Sequence, residues 1–180
     1  MSDRSTGIQR LGSPADTTTA ISMTFVNHSA TQFVRGNWGW VLEDSFGGLD
    51  STPGPALDAN GGLQSMAASR ILTGIHTGPY YIWAAWAHPE TRRRFGVQIY
   101  LPFQMFDVGK PPHWYVALDM LGTLDEEPDW EVSVDDPADP YTFSSDAGFT
   151  IVATPAPAYH SLDVNVLIHE ETAPAARIPG

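Results

Sequence analysis

Three runs within residues 78–119 decide the fold class: Tyr80-Tyr81-Ile82-Trp83-Ala84-Ala85-Trp86, Arg94-Phe95-Gly96-Val97-Gln98-Ile99-Tyr100-Leu101 and His113-Trp114-Tyr115-Val116-Ala117-Leu118-Asp119. Each is short, rich in aromatic and β-branched residues, and bounded by Pro, Gly or charge, which is how strands of an antiparallel sheet read. Phe95, Val97, Ile99 and Leu101 alternate with Gly96, Gln98 and Tyr100. Successive side chains of a strand point to opposite faces, so one face of this run is expected to be buried and the other partly wet.

Working outward, Ile21, Met23 and Phe25 alternate with Ser22, Thr24 and Val26 to make a first strand over 21–27. Gln32-Phe33-Val34 resumes pairing after a turn, and Gly36 to Leu42 forms a second strand region. Residues 43–62 are rich in Gly, Pro and Asn and read as turns. Leu63 to Leu72 is ambiguous, because Leu63, Met66, Ala67 and Arg70 suit a short helix as well as a strand. Trp130, Val132 and Val134 mark a strand inside an acidic stretch. Gly148–Ala153 and the clean alternation of Leu162, Val164, Val166 and Ile168 close the chain. Eight to ten short strands without a helical period predict an all-β protein, an antiparallel β-sandwich with room for one or two short helices. Residues 1–20 form a loose leader, 21–171 a single sandwich domain and 172–180 a frayed tail.

The chain has 180 residues, enough to bury a sizeable core, and no cysteine, so disulfides and thiolate metal sites are excluded. Its net charge of −12 is unevenly spread: residues 111–180 carry thirteen Asp and Glu against the single Arg177. Nucleic-acid binding relies on cations that neutralise phosphates, and anionic membrane surfaces attract basic segments, so neither is an expected partner. A zwitterionic lipid head group or a neutral sugar meets no such objection. No apolar run is long enough to span a bilayer, and residues 1–19 lack the apolar centre of a signal peptide, so the expectation is a soluble protein.

Motifs for catalysis are missing: there is no G-x-S-x-G elbow, zinc-binding H-E-x-x-H or P-loop. His88-Pro89-Glu90 reads as a turn, since the deaminase site that uses H-x-E also needs cysteines. The six histidines stand far apart along the chain. Asp135, Asp136 and Asp139 could offer oxygens to calcium, but without the spacing of a calcium loop they read as a solvated acidic loop. Neither a cofactor nor a catalytic set is therefore expected. Asn27-His28-Ser29 is a formal N-glycosylation sequon.

The aromatic residues carry more information. Six Trp, six Tyr and eight Phe exceed what such a core needs. Trp38 and Trp40 flank Gly39, Tyr80 and Tyr81 follow Gly78-Pro79, and His113, Trp114 and Tyr115 follow Pro111-Pro112. Aromatic rings with a polar handle at loop edges suit a head group or sugar, and several rings together suit a choline ammonium. These seven residues are the expected ligand-binding set; the competing reading is that their rings fill the core.

The order of features from about residue 20 to 120 resembles the aegerolysin and actinoporin-like cytolysins and lectins. The resemblance rests on the strand ending in Asn27, on Gly36-Asn37-Trp38, on the Pro53–Ser65 loop, on Thr77-Gly78-Pro79-Tyr80-Tyr81, on Phe95-Gly96-Val97-Gln98-Ile99 and on Pro111-Pro112-His113-Trp114-Tyr115. It implies an actinoporin-like sandwich and recognition of membrane lipids of the sphingomyelin type, with or without cholesterol, or of glycans. By the same analogy Tyr80, Tyr81, Trp114 and Tyr115 would hold the head group. Residues 1–20 lack the apolar face of a membrane-inserting helix, so the expectation is binding without pore formation by this chain alone, a partner protein supplying any lysis. A glycan lectin and a sandwich hydrolase are the alternatives.

Overall fold

A computed structural model describes residues 17–42, 46–72, 80–101, 115–119, 130, 132–135, 140–145, 148–158 and 161–170. It is all-β: two sheets pack face to face as a β-sandwich, and the described residues contain no helix. The described residues form twelve strands in chain order: β1 (Thr17–Asn27), β2 (Phe33–Leu42), β3 (Phe46–Ser51), β4 (Ala56–Leu57), β5 (Gly62–Leu72), β6 (Tyr80–Ala87), β7 (Arg94–Leu101), β8 (Tyr115–Asp119), β9 (Val132–Asp135), β10 (Tyr141–Ser145), β11 (Phe149–Ala158) and β12 (Ser161–Glu170). The first sheet has the order β10-β11-β12-β1-β5-β3 and the second β4-β2-β6-β7-β8-β9.

Pairing is antiparallel except between β1 and β12, which run parallel from Ala20 opposite Ser161 to Asn27 opposite Ile168. Their alternation makes them suitable centre strands. Ile21, Met23 and Phe25 of β1 and Leu162, Val164, Val166 and Ile168 of β12 are all buried on the core side. The outward positions are polar at Ser22, Thr24, Asp163 and Asn165, with Val26 and Leu167 paired beyond them, and the Ser22 hydroxyl donates to Asp163 across the pair. The second sheet answers with Ile82, Ala84 and Trp86 of β6 and Phe95, Val97 and Ile99 of β7. Aromatic rings bridge the gap, Phe25 lying 5.6 Å from Trp86 and Phe149 5.1 Å from Phe33.

Several expectations are corrected here. Strand β1 begins at Thr17, so residues 17–20 of the expected leader pair with β5. The ambiguous stretch 63–72 is strand: β5 pairs with β1 over eleven residues, with Met66 opposite Met23 and Ala68 opposite Ile21. Leu63, which the helical reading would bury, is 61% exposed. The turn-rich residues 43–62 contain β3 and β4.

Asn27, the first residue of the formal sequon, is fully buried, and every polar atom of its side chain is engaged. Nδ2 donates to the carbonyls of Thr31 at 2.7 Å and Asp58 at 2.9 Å. Oδ1 accepts from the Ser29 amide at 3.0 Å and the Ser29 hydroxyl at 2.7 Å. The amide thus ties the β1–β2 turn to the β4–β5 turn, where Asn60 and Gly61 both take positive φ, a conformation those two residues accept at little cost. A glycan on Nδ2 would have to displace these bonds. Asn27→Ala leaves several buried groups without partners, each worth about 1–3 kcal/mol. We expect a loss of about 3 kcal/mol or more in urea unfolding, with Asn27→Asp, which lacks the donors, no better.

Candidate functional site

The outer face of the second sheet carries the most distinctive arrangement of side chains. On β6 the inward residues Tyr80, Ile82, Ala84 and Trp86 are buried, and Tyr81 and Trp83 point to the other side, half-buried. Tyr100 of β7 stands directly opposite Tyr81, and Gln98 opposite Trp83. The Tyr81 ring lies 5.7 Å from Trp83 and 5.6 Å from Tyr100, tilted by 32° and 34°. Three rings thus lean on one another across two central strands, at the spacing of offset aromatic pairs. In backbone register Tyr100 is paired with Tyr115 of β8.

Trp83 is held flat. Its six-membered ring lies over Gly39 of β2, so that a Cβ on Gly39 would stand 2.4 Å from a ring carbon. Its indole N–H donates to Oδ1 of Asn37 at 2.6 Å. One face of the indole therefore rests on a strand with no side chain beneath it, the polar edge is pinned, and the other face looks outward. At the far end of the same surface Trp130 covers Gly96, within 3.2 Å of where a Cβ would be, and Ala85 and Ala87 are buried. Tyr81, Trp83 and Tyr100, by contrast, are half-buried.

The expected ligand-binding set divides. Tyr81 belongs to the outer row. Tyr80, its chain neighbour, is fully buried in the core, a correction that follows from strand geometry: adjacent residues face opposite ways. Trp38 and Trp40 lie on β2, within the strand region expected for residues 36–42, and they pair with Ala84 and Ile82, which puts them on the core-facing side and not at a loop edge. There Trp38 packs partly against the core, under the Arg35 guanidinium 5.0 Å above its ring. Trp40, 6.0 Å from it, is 47% exposed. Tyr115 lies in β8, while His113 and Trp114 fall outside the described residues. Asp136 and Asp139 of the acidic loop also lie outside them. Trp83, Tyr100 and Gln98, which complete the row with Tyr81, were missed by the sequence reading, although the period-2 spacing of Tyr81 and Trp83 already places them on one face.

The histidines are less scattered than the sequence suggests. His28 and His169 stack at 5.3 Å with planes 16° apart, brought together at the end of the β1–β12 pair. Among the described residues no group of three or more His, Cys, Asp and Glu gathers in the manner of a metal site. No helix of the described residues is long and apolar enough to cross a membrane.

Comparison with known proteins adds no family: no family model matches the chain, and no curated protein matches it significantly.

Gly39 supports Trp83 by having no side chain. Gly39→Ala would drive a methyl group into the indole, so we expect a changed near-ultraviolet circular dichroism spectrum and about 1–3 kcal/mol of destabilisation. Gly48→Ala on β3, where a Cβ meets nothing within 4 Å, is the control and should cost nothing.

Proposed function

We propose that this sandwich is a recognition protein whose outer aromatic face binds a zwitterionic membrane-lipid head group, choline-bearing and of the sphingomyelin type. The single observation that carries the reading is the row of Trp83, Tyr81 and Tyr100, three half-buried rings held in place on central strands. A quaternary ammonium is attracted to aromatic faces, most strongly to indole, at about 0.5–2 kcal/mol per contact. The net charge of −12 favours that same cation. Choline is the outermost group of such lipids, so a docking protein meets the ammonium before the phosphate. The order of sequence features that resembles aegerolysins and actinoporin-like proteins supports the same reading.

A glycan-binding role is the second reading, and one observation favours it. A flat, pinned indole flanked by a carboxamide, as Trp83 is by Gln98 and Asn37, suits stacking on a pyranose with hydrogen bonds at its edge.

Vesicle co-sedimentation tests both. Retention on sphingomyelin–cholesterol vesicles is expected, with Trp83→Ala weakening it about tenfold or more, equivalent to about 1.4 kcal/mol. The unfolding midpoint should stay near that of the wild type, because Trp83 lies outside the core. Retention unchanged by Trp83→Ala would overturn the reading. Binding abolished by free sugars would shift it to the glycan.

A further inference from the structure

The outer face of the first sheet, on the other side of the molecule from the aromatic row, carries a pair of histidines. Strand β1 turns Ser22, Thr24 and Val26 outward and β12 turns Asp163, Asn165 and Leu167 outward, in register across the parallel pair. His28 and His169 continue the two series by one step, because the His28 amide donates to the Ile168 carbonyl at 2.8 Å and prolongs the pairing past Asn27. Both side chains are exposed. Their ring centres are 5.3 Å apart and their planes differ by 16°. Among the described residues neither ring has a hydrogen-bond partner, so their nitrogens are left to solvent.

Imidazole is the commonest protein ligand for transition-metal ions and binds them through an unprotonated nitrogen. Zinc stands about 2.0–2.1 Å from such a nitrogen and so roughly 3.2 Å from the ring centre; two arms of that length at a tetrahedral angle hold the ring centres about 5.2 Å apart. The observed 5.3 Å matches that separation. The Cβ–Cγ bond points through the ring centre, so a turn about it re-aims the nitrogens and tilts the planes while the centres stay in place. Exposed rings have that freedom, since the torsion about this bond is broad.

We infer that His28 and His169 form a two-histidine site for a divalent transition-metal ion such as zinc, with water in the remaining positions. Two protein ligands are fewer than the three or four of catalytic and structural zinc sites, so the ion exchanges with solvent. The donor set selects the ion: two nitrogens suit zinc, nickel or copper(II), whereas calcium and magnesium require oxygen. The chain has no cysteine to compete for such a metal, and its net charge of −12 draws cations towards it. An ion held there ties β1 to β12 at the end of the parallel seam. The unfolded chain does not bring the two rings together, so the bound ion stabilises the folded state.

Zinc chloride titrated into the whole chain tests this, read by nuclear magnetic resonance through the ring protons of His28 and His169. Both sets of signals should shift together and saturate, and the unfolding midpoint should rise by about 3 °C or more at saturation. His28→Ala and His169→Ala, both at exposed positions, should leave the zinc-free midpoint nearly unchanged. Each should weaken zinc binding at the remaining ring about tenfold or more and remove the rise in midpoint. Magnesium chloride should shift neither ring. Zinc affinity unaltered in either variant, or equal ring shifts with magnesium, would overturn the assignment.

Discussion

The two sheets meet through rings. Phe25 and Phe149 come from the first sheet, and Phe33, Trp86 and Phe95 from the second. The distances Phe33–Phe95 and Phe95–Phe149 are both 5.4 Å, close to that of Phe33–Phe149. Each ring contributes about 1.5–3 kcal/mol by burial, and the edge-to-face geometry adds about 0.5–1.5 kcal/mol per pair. Because packed rings hold the sheets at one separation, the rest of the core can be filled by small residues such as Ala68, Ala84 and Ala153. The same set of rings ends in Phe33 and Phe149, both enclosed between the sheets.

A second constraint is the parallel pairing of β1 with β12. It sets the first and last strands side by side in the middle of one sheet, each with a further neighbour, β5 or β11. No short turn can make such a pair, so its closure depends on contacts between residues about 140 positions apart in the chain. The hydrogen bond from Ser22 to Asp163 and that from the Ala30 amide to Glu170 both span this seam. At its end the His28 amide donates to the Ile168 carbonyl at 2.8 Å, and the His28–His169 stack follows directly. The Asn27 side chain then anchors the turn that leaves the seam. A local sequence signal, an Asn before a Ser, therefore has a tertiary cause unconnected with glycosylation.

What could be read from the residues alone follows from how local each signal is. The alternation in β1, β7 and β12 is complete within one strand, and it was legible because a strand buried on one face has to alternate. Strand β5 was not, since small residues such as Ala67 and Ser69 satisfy a helical and a strand period equally well; its pairing with β1 made the choice. β3 and β4 were hidden for a different reason, lying among Gly, Pro and Asn residues that read as turns, and β4 is only two residues long. The division of the aromatic residues was half legible. Period two predicts that Tyr80 and Tyr81 part company and that Tyr81 and Trp83 keep it, but grouping residues by their distance from a turn obscured this. That Trp38 and Trp40 would face the core side of the sheet depends on a register shift between Arg35 and Trp38, which no local pattern announces.

The placement of the aromatic row bears on how it would work. Loop-edge rings, as the sequence led us to expect, would adjust to a ligand and lose conformational freedom on binding it. Tyr81, Trp83 and Tyr100 instead sit on β6 and β7, both flanked by paired strands, and Trp83 is further pinned by Asn37 and seated on Gly39. Immobilising a flexible side chain costs about 0.5–1.5 kcal/mol, and a row already immobile avoids most of that cost. On the proposed reading this compensates for the weakness of each ring's own contact with a head group and makes selectivity depend on shape. The face can take a target that fits the leaning rings as they stand, but it cannot fold around one that does not. On the same reading, Trp130 lying over Gly96 would turn a ligand away from that part of the face and towards the three rings.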